Sequence, residues 1–282
     1  MASVLIAGCG YVGTALGRLL CLDGDLVWGL RRNTVGMPSA MRPLQADLAV
    51  PSSLQVIPAG IDYVVYAASA DTFSPESYRR AYVDGLANLL SVLKNRTDGQ
   101  PQRLLYVSST SVYGQTAGEL VDENSPAESS RFSGQIVLEG EGHALGSSIQ
   151  TIVVRFGGIY GPKRVRLIEE VRRGEACVSG PHRYTNRIHR DDCARTLAHL
   201  LRLASPKAVY LGVDDEPAPQ CEVMRWLADQ LCVKAPVEGH LDADTSRPNK
   251  RCSNHLLRAS GYRFIYPSYR DGYRAILSGL KT

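Results

Sequence analysis

Apolar and polar positions follow one another along this chain in blocks of two kinds. Apolar runs of strand length occur at Val4-Leu5-Ile6-Ala7, Leu26 to Leu30, Tyr63 to Tyr66, Leu104 to Val107, Ile149 to Phe156 and Ala208 to Val213. Between them lie longer stretches whose apolar residues recur every three or four positions, as amphipathic helices require. Val12, Leu16, Leu19 and Leu20 make the first such face. Tyr78, Ala81, Tyr82, Leu86, Leu89, Leu90 and Leu93 make a wide second one. Ser74-Pro75-Glu76 opens it with a cap, a first-turn proline and an acid at the positive end. Further helices are expected near Arg166 to Arg173, from Ile188-His189-Arg190-Asp191-Asp192 to Leu203, and from Cys221 to Leu231. Between the first two of these lie Ala176-Cys177-Val178-Ser179 and a polar stretch. Such alternation predicts an α/β fold, a Rossmann-type doubly wound parallel sheet with ligands at the carboxyl ends of its strands.

Organisation follows from the same pattern. Residues 1–162 read as a dinucleotide-binding domain. Residues 163–282 are looser, with 205–232 rejoining the sheet and 163–190 plus 236–282 forming a small C-terminal substrate lobe.

The first apolar run ends in Gly8-Cys9-Gly10-Tyr11-Val12-Gly13, a G-x-G-x-x-G spacing between strand and helix. Gly8 permits a tight turn out of the strand, Gly10 removes a side chain that would hold a pyrophosphate off the backbone, and Gly13 lets the helix lie close on the sheet. The helix N-terminus behind them presents free N–H groups and a positive dipole end to an anion. A dinucleotide is therefore expected against Gly8, Gly10, Tyr11, Val12 and Gly13; a glycine turn that binds nothing is the plain alternative.

The second strand ends in Arg31-Arg32. An acid at this place would bind the ribose 2′-hydroxyl of NAD, whereas arginine accommodates the 2′-phosphate of NADP by its forked donors. The expected cofactor is NADP, with NAD as second choice, and a solvated arginine pair is the competing reading. Asp47, beside Leu48 at the end of Leu44-Gln45-Ala46-Asp47-Leu48, is placed either to accept from an adenine amino group or to cap its own loop. Ala67 and Ala68, small residues past the fourth strand, would let a cofactor lie flat across the strand ends.

Composition narrows the classes. Among 282 residues, 44% are hydrophobic and 21% charged, with no disorder signature and no apolar run of membrane-spanning length. The start of the chain lacks a charged leader, so a cytoplasmic protein is expected. A net charge of +4 without a basic tract does not imply nucleic acid and suits an anionic cofactor or small-molecule substrate. Seven cysteines with no C-x-x-C pair argue against a zinc or redox motif and read as reduced core residues. No second histidine stands at ligand spacing from His189, so no metal is expected.

Four blocks together resemble the extended short-chain dehydrogenase/reductase superfamily, which holds the NAD-dependent epimerases and dehydratases of nucleotide sugars. They are Gly8 to Gly13, Tyr106 to Gly114, Arg155 to Pro162, and His189-Arg190-Asp191-Asp192, and the likeness spans nearly the whole chain. The glycine spacing and the ending Arg247-Pro248-Asn249-Lys250-Arg251-Cys252-Ser253-Asn254 look like an atypical subgroup. The resemblance implies hydride transfer on a small, phosphorylated or nucleotide-linked sugar. It places Ser108 and Gly158 by the cofactor and Tyr160 and Lys163 by the substrate. Asn249, Lys250 and Arg251 would meet the substrate's phosphates, unless they form a solvated turn. Helices near 75–93 and 135–145 would pair as a homodimer.

A departure from the family pattern bears directly on the chemistry. Family members use a serine or threonine after the fifth strand with Y-x-x-x-K on the next helix, the tyrosine exchanging a proton with the substrate oxygen and the lysine lowering its pKa. Ser109 matches the serine, although a strand-end serine also serves as a loop hydroxyl. Aligning the family's acid with Glu139 puts Arg131 at the tyrosine and Gln135 at the lysine. An arginine stays protonated and a glutamine carries no charge. Either another group acts, with Ser109, Tyr113, Ser133 and Gln135 as the catalytic positions and Tyr160 and Lys163 nearby, or the protein is a catalytically inactive NADP(H)-binding regulatory or interaction protein, or the alignment of this helix is displaced. Tyr113 also reads as a packing residue, and His189 and Asp192 as servants of a helix start.

Overall fold

The computed structural model describes residues 1–178, 183–239 and 248–280. Ser179 and Arg247, cited above, lie outside the described residues. In the first half, strands β1 (Ser3–Ala7), β2 (Leu26–Arg31), β3 (Arg42–Gln45), β4 (Tyr63–Tyr66), β5 (Arg103–Ser109) and the short β6 (Glu119–Val121) are joined by α1 (Tyr11–Leu22), α2 (Pro75–Arg79) and α3 (Gly85–Lys94). Then follow α4 (Phe132–Leu145), β7 (Gln150–Phe156), β8 (Gly158–Tyr160), α5 (Arg166–Arg172), β9 (Cys177–Val178), β10 (Tyr184–Thr185), β11 (Arg187–His189) and α6 (Arg190–Arg202). The chain closes with β12 (Val209–Gly212), β13 (Ala218–Pro219), α7 (Gln220–Leu231), β14 (Glu238–Gly239), β15 (Lys250–Cys252), α8 (His255–Ala259) and α9 (Tyr269–Gly279).

Seven strands form one sheet in the order β3-β2-β1-β4-β5-β7-β12. Every pairing in it is parallel, including the return of β12 beside β7. A parallel sheet is covered on both faces, which is why its strands read as unbroken apolar runs. Along β1 the period of two is visible. Val4 and Ile6 join the core under α1 and α6, whereas Leu5 and Ala7 join the core under α3. On either side of β1 the chain winds in opposite directions, and the crevice at the ends of β1 and β4 is the place where such sheets take ligands.

The expected helix over 75–93 is divided. A π turn over Arg80–Asp84 separates α2 from α3. Two buried tyrosines occupy the carbonyls there: Tyr66 Oη donates to Ala81 O at 2.6 Å and Tyr106 Oη to Tyr82 O at 3.1 Å. Both hydroxyls insert into the helical ladder, a recognised cause of such widening.

The described residues of 236–282, a stretch expected together in a lobe, join two different cores. Tyr269, Tyr273 and Ile276 of α9 share a core with Ile168 and Val171 of α5 and Leu227 of α7. Leu257 and Tyr262 instead pack into the core of the main sheet with Leu197 and Tyr210. The cysteine expectation is corrected at one pair. Cys177 and Cys221, 44 residues apart, form a disulfide with Cα atoms 5.2 Å apart where α7 packs on β9. The pair is not a C-x-x-C motif, so spacing gave no sign of it. The other five cysteines are free thiols. Among the described residues, no helix is long and apolar enough to cross a membrane and no cluster of His, Cys, Asp and Glu could hold a metal ion.

Candidate functional site: two cavities at the carboxyl ends of the strands

A cavity of about 190 Å³ opens at the ends of β1, β2 and β4, lined among others by Gly8, Gly10, Arg31, Arg32, Asp47, Leu48 and Ala68. Gly8 has φ +79°, and a Cβ there would stand 2.4 Å from Ala68 N. Only glycine allows that crossing of two strand ends. A Cβ on Gly13 would meet Ile6 Cγ2 at 2.9 Å, so the missing side chain is what lets α1 lie on the sheet. Gly10 stands at the N-cap of α1, where no side chain covers the helix end. Val12 is buried beneath the turn and Ala67 half-buried beside it.

Arginines crowd this cavity. Arg31 donates through Nη2 to Val35 O at 2.6 Å and through Nη1 to Cys9 O at 3.4 Å, and its buried Nε has no partner among the described residues. Arg32 makes a two-fold bond to Asp71 at 2.8 and 2.6 Å. Arg80, on the π turn, reaches Asp47 Oδ2 at 2.6 Å. Asp47 Oδ1 accepts from Ala49 N, so the carboxylate does cap its loop.

A larger cavity of about 780 Å³ opens at the ends of β5, β8 and β11. Its walls include Thr110, Gly158, Tyr160, Lys163, Asn186, Arg187, Lys250 and Tyr273. Between the two stretches of chain, the Tyr11 hydroxyl donates to Pro162 O at 2.8 Å, tying the glycine turn to the segment beside the larger cavity. The Arg164 guanidinium lies 4.3 Å from the centre of the Tyr11 ring. Lys163, at the tip of this rim, holds a left-handed backbone with φ +68°, an unusual conformation for a side-chain-bearing residue.

The sequence-derived catalytic residues are dispersed. Ser109 is half-buried and its Oγ accepts from Ser111 N at 3.1 Å, capping a 3₁₀ turn. Tyr113 is corrected to a structural residue: it is fully buried, donates to Asp122 O at 2.7 Å and accepts from Arg155 Nη1 at 2.8 Å. Burial pushes its hydroxyl up to about 12, against the opposing pull of Arg155. Ser108, expected by the cofactor, is corrected likewise: it is 5% exposed and donates to Glu141 Oε1. Glu141 in turn holds Arg155 through two oxygens, at 3.0 and 2.7 Å, in a network closed off from both cavities. Ser133 is buried at the start of α4, whereas Arg131 and Gln135 are exposed, and none of the three lines either cavity.

On the substrate side, Tyr160 stacks on Tyr273 with ring centres 4.5 Å apart, and its buried Oη has no partner among the described residues. The loop expected over Asn249, Lys250 and Arg251 is corrected at Lys250 and Arg251, which begin β15 in parallel with β6, with Asn249 just before it. Asn249 Oδ1 accepts from Tyr184 N, and Arg251 Nε donates to Gly118 O. Of the three only Lys250 faces the cavity. His189 is buried and its Nδ1 accepts from Asp191 N, the helix-cap duty read from the sequence. Burial lowers its pKa to about 4, so the ring is neutral. Asn186 and Arg80 went unnoticed in the sequence because their side chains gain partners only through distant pairings, and Arg187 because the cavity it lines is assembled from distant stretches. The Glu141 network has its trace in Arg155, a charge between the apolar residues Val154 and Phe156 of β7.

Residues 4–210 match the family described as the NAD dependent epimerase/dehydratase family. A NAD-dependent epimerase/dehydratase candidate from Methylobacillus flagellatus is 36% identical, with a TM-score of 0.82 over 100% of this chain and 99% of that one. A functionally unknown conserved protein from Silicibacter pomeroyi is 26% identical, with a TM-score of 0.82 over 99% of each chain. The human epimerase family protein SDR39U1, solved with NADPH, is 20% identical, with a TM-score of 0.80 over 98% of this chain and 99% of that one. No curated protein matches the chain.

Proposed function

Because the chain belongs to the NAD dependent epimerase/dehydratase family, within the extended short-chain dehydrogenase/reductase superfamily, we propose that it binds NADP(H) at the glycine turn and transfers hydride to or from a small sugar-like substrate in the larger cavity. The observation that carries this is the placing of Arg31 and Arg32, with no acid at the end of β2, on the wall of the cavity that the glycine turn opens. The residues fit the group. Gly8 and Gly10 leave the backbone bare for a pyrophosphate. The unpartnered Arg31 Nε is a buried donor that a 2′-phosphate oxygen would satisfy. When bound, the nicotinamide supplies or takes up a hydride.

The chain's own residues do the rest. Tyr11 and Arg164 lie over the turn, while Ser109, whose hydroxyl caps a 3₁₀ turn and which lines neither cavity, is linked to the substrate oxygen by the family pattern alone. Lys163, Arg187 and Lys250 give the second cavity a cationic lining that suits a phosphorylated or nucleotide-linked sugar. A second reading, a cofactor-binding protein without chemistry, is favoured by the exposure of Arg131 and Gln135 where the family's tyrosine and lysine belong.

The test is differential binding. Arg31→Asp should weaken NADPH by about tenfold or more, the scale of one charge-assisted contact, and NADH far less. Equal losses for the two nucleotides in calorimetry would remove the NADP assignment. NADPH oxidation with a panel of sugar nucleotides and small carbonyls separates the enzyme from the inactive binder.

A further inference from the structure

Helix α4 brings no proton-exchanging side chain to the larger cavity, but the wall formed by the C-terminal strand does. Lys250 is 7% exposed, and it lines that cavity with Thr110, the residue next to Ser109. Its Nζ gives one hydrogen bond among the described residues, to Tyr113 O at 3.2 Å, so two of its three N–H donors remain for a ligand.

The position is fixed from two sides. Asn186 Nδ2 donates to Lys250 O at 3.0 Å, while Asn186 Oδ1 accepts from Cys252 N at 2.7 Å. The same Asn186 takes Gly158 N on its own carbonyl at 2.8 Å. Lys250 is thereby held between the turn that follows β5 and the first residue of β8. That is the carboxyl edge of the sheet, where the nicotinamide and the substrate meet in the reading above. A side chain buried in this manner at a ligand cavity is not a solvated turn.

We propose that Lys250 is the proton donor and acceptor for the substrate oxygen, acting from β15 in place of the pair missing from α4. The proposal rests on the NADP(H) reading. In the reducing direction the substrate's carbonyl carbon takes a hydride from the reduced nicotinamide, and its oxygen takes a proton from Lys250 Nζ. Alcohol, oxidised nucleotide and a neutral amine result, and the amine recovers its proton from water; oxidation runs the same exchange backwards. Burial lowers the pKa of Lys250, which eases release of that proton. Facing it are Cys252 on its own strand, Glu119 on β6, Tyr184 on β10, Tyr113 behind the accepting carbonyl, and Arg187 with Glu169 and Glu170 across the cavity.

The test reads charge at the nicotinamide without turnover. A protonated Lys250 repels the cationic ring of NADP⁺ and is indifferent to the neutral ring of NADPH. In the wild-type chain the ratio of the NADP⁺ to the NADPH dissociation constant should fall about tenfold as pH rises through the lysine's titration, and Lys250→Met should hold it flat. Ionisation of the 2′-phosphate is common to both nucleotides and cancels. With whichever carbonyl the wild type reduces, Lys250→Met should lower kcat about 100-fold at unchanged NADPH affinity. A flat ratio in the wild type, the same slope in both chains, or an undiminished kcat in the variant overturns the proposal while the cofactor reading stands. Failure of either nucleotide to bind the wild type overturns the reading itself, and the role of Lys250 with it.

Discussion

Arg155 and Glu141 show how far a single residue can be read. Their side chains are 7% and 2% exposed and meet at 2.7 Å, so each is tolerable only because of the other. Removing one partner of a buried pair typically costs about 3–5 kcal/mol, since the remaining charge stays uncompensated. Glu141→Ala should therefore lower the urea midpoint sharply, while Glu141→Leu combined with Arg155→Met should recover much of the loss. Equal losses for the single and double variants would contradict this. From the sequence alone, Arg155 appears only as a member of a motif and Glu141 as an ordinary helical acid. What joins them is the register of β7 against α4, which no local pattern encodes. Tyr113 illustrates the same limit. Its hydroxyl reads as chemistry in the sequence, and the pairing with Arg155 and Asp122 makes it structural.

Among elements, those built from local pattern were legible. Six of the seven sheet strands and α1, α6 and α7 declare themselves because burial on both faces, or on one stripe, dictates their period, whereas β3, exposed at three of its four residues, carries no such pattern. The strands of two or three residues do not, since β6 with β15 and β9 with β14 pair across more than fifty residues and leave no periodic trace. The helix start at His189-Arg190-Asp191-Asp192 lies between these cases. It begins α6 as expected, yet Asp192 does more than favour a dipole. Fully buried, it accepts from Tyr262 Oη at 2.8 Å, Ile265 N at 2.8 Å and Tyr266 N at 2.9 Å, fastening the chain between α8 and α9 to α6. Asp192→Ala leaves the Ile265 and Tyr266 N–H groups without their acceptor, while Tyr262 Oη keeps its second bond, to Asp192 O at 3.0 Å. A loss of about 2 kcal/mol is expected in chemical denaturation, at roughly 1 kcal/mol or more for each orphaned donor. A change under 0.5 kcal/mol would mean that water replaces the carboxylate.

For the molecule as a whole, the unsettled property is assembly. Helices α2, α3 and α4 lie side by side, and Phe73, which is 68% exposed, gathers with Tyr78 and Phe132 at their edge, ring centres 4.9 to 5.6 Å apart. Exposed aromatic clusters of this sort mark contact surfaces. Paired across a two-fold axis, two copies of a 30.7 kDa chain would sediment as a dimer, and Phe73→Glu should shift them to monomer. A wild-type monomer throughout refutes the dimer. The division of labour between the cavities has a different kind of consequence. Among the described residues, all those lining the glycine-turn cavity fall between positions 8 and 81, and all those lining the larger one between 110 and 273. One recombination event anywhere in the intervening stretch would pass on the first set of walls whole and exchange the second whole, so a lineage could change what it acts on without reinventing what it is powered by.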